Sequence, residues 1–160
     1  MFRSRFLFLF VFFSLFIFIG DVAGFFIATS GLDLNLTPFI DIRLVENSSW
    51  LFFLHGSTYI YELLLMIVVF TVWRASMLTN FRFEEKIGLA LFCAGATLNL
   101  ISRIFFGYVV DWIDIKGFTV FNLADVAVIF GVIITLWYYV VSREDNSINS
   151  ICPQKLPPAP

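Results

Sequence analysis

Two carboxylates, Asp111 and Asp125, are the residues of this chain best suited to chemistry. Carboxyl groups brought close cannot easily both ionise, so one pKa rises and the pair shares a proton. Such a pair can hold a water, take its proton as it attacks a peptide carbonyl, and protonate the leaving amine. It needs neither a nucleophilic side chain nor a metal. The spacing permits contact without requiring it, because Asp111 falls in an expected loop and Asp125 at an expected helix start. The same residues also admit a plainer reading, with Asp111 a solvated loop charge and Asp125 a cap at the positive end of a helix dipole. Between and beside them, in Leu98 to Asp125, lie Asn99, Arg103 and Asn122. Polar and ionisable groups are costly at membrane depth, so each is a candidate for function.

The elements that must position these residues are membrane elements. Of the 160 residues, 60% are hydrophobic, 14% are charged and 22 are Phe, with mean hydropathy +0.92. A soluble domain carries roughly a quarter charged residues. Several apolar runs approach the roughly 20 residues that span a bilayer, which predicts an all-α membrane protein. A net charge of −2 gives no basic excess for a nucleic-acid partner. Cys93 and Cys152 form no C-x-x-C pair, so neither a redox pair nor a zinc site is expected.

In chain order, a basic start (Arg3, Arg5) leads into a first span over about 6–28. It is read as an uncleaved helix rather than a signal peptide, because it is long and no A-x-A site follows. Residues 32–55 alternate apolar and polar in places and contain Pro38 and a turn at Asn47-Ser48-Ser49. They predict a small amphipathic β layer at the membrane surface. Spans two, three and four are expected at about 57–73, 87–106 and 122–141. Residues 74–86 read as a charged loop, 107–121 as a second loop, and 143–160 as a disordered tail. The expected architecture is a four-transmembrane-helix bundle with an extracytoplasmic β layer.

Loop charges orient that bundle. Arg3, Arg5, Arg74, Arg82, Lys86, Arg143 and Lys155 share one side, against Arg43, Arg103 and Lys116 on the other. The positive-inside rule puts both termini in the cytoplasm. Asp21, Glu62, Asn99, Arg103 and Asp125 then converge in the outer half of the membrane.

At these residues the chain resembles the lipoprotein (type II) signal peptidases of bacteria. Gly107 to Asp114, GYVVDWID, and Phe118 to Asp125, FTVFNLAD, are similar to that family's V-V-D-F and F-N-x-A-D elements. In the family the two aspartates are the catalytic dyad, which here falls on Asp111 and Asp125. The family's G-N-x-x-D-R corresponds to Leu98-Asn99-Leu100-Ile101-Ser102-Arg103, keeping Asn and Arg. Its Asn-x-Gly-Ala-Ala-Phe survives as Asn47 and Phe52, with Ser49, Trp50 and Leu51 between them. Its D-x-x-x-K keeps Asp21 but has Phe25 in the Lys position. The resemblance is sharpest over 95–127 and marks a divergent member.

The resemblance implies an aspartic endopeptidase of the bacterial inner membrane, active near the outer face. It implies cleavage of prolipoprotein signal peptides before a diacylglyceryl-modified Cys. Asp111 and Asp125 would activate water; Asn47, Asn99, Arg103 and Asn122 would orient the substrate or steady the dyad. Asp21 is a support candidate, pairing with Arg43 or Arg103 or held protonated. No metal or cofactor is implied. The partners are lipobox-bearing precursors and membrane lipids, and the chain is expected to be monomeric. Two competing readings are a catalytically inactive relative that binds lipidated peptides or supports a membrane complex, and a small transporter or redox-linked four-span protein. The first is favoured by Phe25, Leu98 and Ser102, and opposed by the intact aspartates. The second is weakened by two cysteines without pairing logic and by the lack of interrupted half-helices.

Outside the motifs, Glu62 is expected to form a structural ion pair with Arg103, and Asp114 to be a loop or capping charge. His55 beside Ser57 lacks a third group for nucleophilic catalysis. Trp50, Trp73 and Trp112 fit interfacial belts, with Trp137, Tyr138 and Tyr139 at the inner end of the fourth span.

Overall fold

The computed structural model describes residues 2–30, 35–48, 58–78 and 81–151. Its order is α1 (Phe2–Thr29), β1 (Asn35–Thr37), β2 (Ile40–Asn47), α2 (Thr58–Leu78), α3 (Phe83–Phe106), β3 (Val109–Ile115), β4 (Thr119–Phe121) and α4 (Leu123–Ile151).

Three helical segments are long and apolar enough to cross a membrane: Arg5–Thr29, Phe83–Phe106 and Leu123–Val141. The described apolar part of α2, Leu63–Leu78, is shorter. α1 is apolar on every side, as a helix facing lipid must be. Phe8 is 70% and Phe16 66% exposed, whereas Phe6 is fully buried with Ala90 and Cys93 of α3. Trp73, expected in an interfacial belt, packs against Phe10 with ring centroids 5.0 Å apart.

α3 and α4 form the tightest helix pair, and small residues allow it. A Cβ on Gly95 would lie 2.3 Å from the Ala124 carbonyl oxygen, and one on Gly131 would lie 2.5 Å from the Phe92 nitrogen. Lipid offers no hydrophobic force to drive helices together, so close packing through small residues carries the association. This contact brings the Asn99 turn of α3 to the first turn of α4.

The segments expected as loops are more ordered than their composition suggests. α2 continues to Leu78 and α3 begins at Phe83, so little of 74–86 is loop. Glu85 caps the start of α3 by accepting the Arg82 backbone N–H at 2.8 Å, one half of a capping box. Residues 107–121, expected as a loop, instead form β3 and β4. They complete a four-stranded antiparallel sheet in the order β1-β2-β3-β4. The apolar–polar alternation was hidden because the buried positions of β3 include two aspartates, Asp111 and Asp114, as well as Val109. Turns at Gly107 (φ 80°) and Gly117 (φ 81°) open β3 and join it to β4, using a left-handed conformation that glycine adopts without strain.

Register places Val45 opposite Asp111 and Asp41 opposite Asp114. The like-charged Asp41–Asp114 pair is offset by Lys116 at 3.1 Å from Asp41 and Arg43 at 2.6 Å from Asp114. Asp114 is therefore a buried ion-pair partner rather than a free loop charge. α4 runs past the expected boundary at 142 to Ile151, so residues 143–151, expected in a disordered tail, are helical. Residues 32–34 and 49–55 of the expected β layer, including Trp50, Phe52 and His55, lie outside the described residues, as does Ser57. So do residues 152–160 and the side chain of Glu62 with its expected ion pair.

Candidate active site

Asp111 comes from β3 and Asp125 from the first turn of α4. Asn122 is the residue immediately before α4, and its side-chain oxygen accepts the Asp125 N–H at 2.8 Å. In return an Asp125 carboxylate oxygen accepts the Asn122 N–H at 3.4 Å. The reciprocal pattern is that of a capping box, and it fixes Asp125 at the positive end of the helix dipole. The capping reading of Asp125 is thus correct, and it coexists with a place beside Asp111.

The two carboxylates are joined through amides. Asn122 Nδ2 donates to Asp111 Oδ1 at 3.0 Å and lies 3.2 Å from Asn99 Oδ1. Asn99 Nδ2 donates to Asp125 Oδ1 at 2.7 Å. The other oxygen of Asp111 accepts Asn47 Nδ2 at 2.8 Å. Asn47 is two residues beyond Val45, the cross-strand partner of Asp111, so it sits diagonally on the same sheet face. Asp111, Asn122 and Asn99 are buried, Asp111 to 1% exposure. Burial pushes the Asp111 carboxyl up to about 6; Asn47 opposes the shift, the Asp125 charge adds to it, and Arg103 and Asn122 lower it. Arg103, at the C-terminal end of α3, approaches the Asn99 carbonyl oxygen at 3.5 Å.

A cavity of about 390 Å³ borders this network, within the usual range for ligand sites. Asn99, Asn122 and Asp21 supply polar wall; Phe18, Val22 and Phe106 supply apolar wall. Phe25, Leu98 and Ser102, three of the departures from the motifs, also line it.

Residues 8–141 match the family model described as signal peptidase (SPase) II. The chain belongs to the signal peptidase II family. Among curated relatives, it is 56% identical over 52 residues to the lipoprotein signal peptidase of Moorella thermoacetica, covering 32% of this chain and 35% of that one. It is 38% identical over 111 residues to the lipoprotein signal peptidase of Bartonella quintana, covering 64% and 66% respectively. Over 93 residues it is 40% identical to that of Syntrophomonas wolfei, covering 58% and 56%. The chain thus spans between about a third and two thirds of the length of these relatives. A solved structure described as a bacterial membrane enzyme superposes with a TM-score of 0.74 at 24% identity, over 89% of this chain and 91% of that one. Family membership, that shared fold and the apolar helices make this a multi-pass membrane protein.

Within the signal peptidase II frame, the geometry brings together Asn47, Asn99, Asp111, Asn122 and Asp125 and sets Arg103 at their edge. Asp21 is also drawn in, but not through a cation. Its Oδ1 accepts Trp112 Nε1–H at 2.9 Å and the Leu123 N–H at 2.8 Å, while Arg43 pairs with Asp114. Trp112, expected in an interfacial belt, is the site neighbour that the motifs did not reveal. Its signal in the sequence was adjacency to Asp111, which carries no information about a partner on α1.

Proposed function

We propose that the chain is an intramembrane aspartic endopeptidase that removes signal peptides from diacylglyceryl-modified prolipoproteins, cutting before the lipidated Cys. The observation that carries this reading is the amide-linked pair Asp111–Asn122–Asn99–Asp125 at the border of a largely apolar cavity. A raised Asp111 pKa favours a shared proton between the two carboxyls. The ionised member takes a proton from water as its oxygen adds to the scissile carbonyl carbon. The protonated member gives its proton to the carbonyl oxygen. When the tetrahedral intermediate collapses, the C–N bond breaks, the proton gained from water passes to the leaving amine, and a hydroxyl of the intermediate returns its proton to the other carboxylate, restoring the shared proton. The reaction needs no cofactor or metal.

Asn47, Asn99 and Asn122 hold the carboxylates and offer amide groups to the substrate backbone, with Arg103 supplying positive charge beside them. In this reading α2 also crosses the membrane, as the second of four spans, the bundle lies in the inner membrane with both termini cytoplasmic, and the sheet faces outward. The substrate enters laterally from lipid as a lipobox helix, and the enzyme works as a monomer without nucleic acid. Phe25, Leu98 and Ser102 alter the cavity wall and leave both aspartates intact, which favours an active enzyme over an inactive relative.

The test is a gel-shift cleavage assay in detergent on a diacylglyceryl-modified precursor, with wild type and Asp125→Asn. Cleavage by wild type alone supports the reading. No cleavage by folded wild type beside a working control peptidase overturns it.

A further inference from the structure

Asp21 touches, through a single oxygen, both elements that carry the dyad. Its Oδ1 takes the indole N–H of Trp112 at 2.9 Å and the backbone N–H of Leu123 at 2.8 Å. Trp112 follows Asp111 in β3, and Leu123 opens α4 two residues before Asp125. Successive strand residues project to opposite sides, so the indole reaches α1 while Asp111 turns to the amides of Asn47 and Asn122.

Packing fixes the indole independently of the hydrogen bond. Gly24 is buried, and a Cβ there would lie 2.1 Å from Cε2 of Trp112. Gly24 follows Asp21 by three residues and so shares its helix face. The ring fills a notch that any larger residue would close. Phe25, one turn beyond Asp21, supplies no cation where the motif has lysine. The indole N–H and the amino end of α4 supply the positive ends of dipoles instead.

We propose that Trp112 is a positioning residue: hydrogen-bonded to Asp21 and seated on Gly24, it ties β3 to the first turn of α4 through α1 and sets Asp111 against Asp125. The inference rests on the peptidase reading of those two aspartates.

Trp112→Phe keeps an aromatic ring and removes one donor. In the precursor-cleavage assay we expect it to lower kcat about tenfold at unchanged KM and unchanged Tm, as for a hydrogen bond to a charged group expressed in the transition state. Asp21→Ala should lower kcat as well, and Trp112→Phe should then add nothing. Gly24→Ala, which displaces the ring, should reproduce the kcat loss. Wild-type kcat in Trp112→Phe overturns the proposal, as do additive losses with Asp21→Ala. A fall in Tm with unchanged kcat makes Trp112 merely structural and also overturns it. An inactive wild type beside a working control peptidase removes the dyad reading and this inference together, whereas an active wild type with an unaffected Trp112→Phe removes this inference alone.

Discussion

Asn122 donates to Asp111 Oδ1 at 3.0 Å while its own side-chain oxygen holds the Asp125 backbone N–H at 2.8 Å. One residue therefore starts α4 and clamps the strand beside it. The fold and the candidate chemistry depend on the same side chain, and substitutions can separate the two.

Asp111→Asn and Asp125→Asn should each lower cleavage by about 10³-fold or more, in line with the removal of a general acid–base group. Both should remain inserted and folded, because asparagine matches the carboxylate in shape and retains one of its two acceptor oxygens for the neighbouring N–H groups. Turnover in detergent is the measurement. Retained activity in either variant would rule out a two-carboxylate mechanism.

Asn122→Ser separates capping from clamping. Serine is a good N-cap residue, whereas alanine costs about 1 kcal/mol of helix stability at this position. We expect Asn122→Ser to keep near wild-type Tm and lose most activity, and Asn122→Ala to lose both. Thermal unfolding alongside kcat distinguishes them. Equal activity in Asn122→Ser and wild type would leave the amide with no role beyond the cap.

The buried Asp111 carboxyl makes stability depend on pH with a definite sign. Its pKa rises from 3.8 to about 6 on folding, so the folded state prefers the protonated form. The cost of ionising it is absent below about pH 4, grows between about 4 and 6, and is complete above that. Relative to Asp111→Asn, wild-type Tm should fall as pH rises through this window. Parallel Tm–pH curves for the two proteins would contradict the assignment.

Asn47→Ala removes a donor that favours ionised Asp111. The acidic limb of the pH–rate profile should therefore move to higher pH, and cleavage at neutral pH should fall. An unmoved limb would place Asn47 outside the site. The observed limb belongs to the coupled pair rather than to one aspartate.

Orientation is open to labelling. Positions 116 and 82 are exposed near opposite ends of α3 and the sheet. In a cysteine-free background, Lys116→Cys should react with an impermeant reagent from outside and Arg82→Cys only after lysis. The reverse pattern would invert the bundle.

The sequence alone determined the membrane character, because long apolar runs have no other stable environment. It also determined the helix near 122, because Asn-Leu-Ala-Asp is a local capping pattern whose partners lie three residues apart. The aspartates and asparagines were legible as motif positions. Only the tertiary structure decided that Asp111 sits on a strand, since a buried carboxylate breaks the alternation by which a strand is read. The same is true of the way Asn47, Asn99 and Asn122 meet around the carboxylates. Their hydrogen bonds join two inner strands, the last turns of one helix and the start of another; β2–β3 pairing sets the Asn47 contact, and the close α3–α4 approach permitted by Gly95 and Gly131 brings Asn99 to Asn122 and Asp125. The Trp112–Asp21 contact spans 91 positions of chain. Local propensity has no reach over that separation; the packing of β3 against Gly24 supplies it.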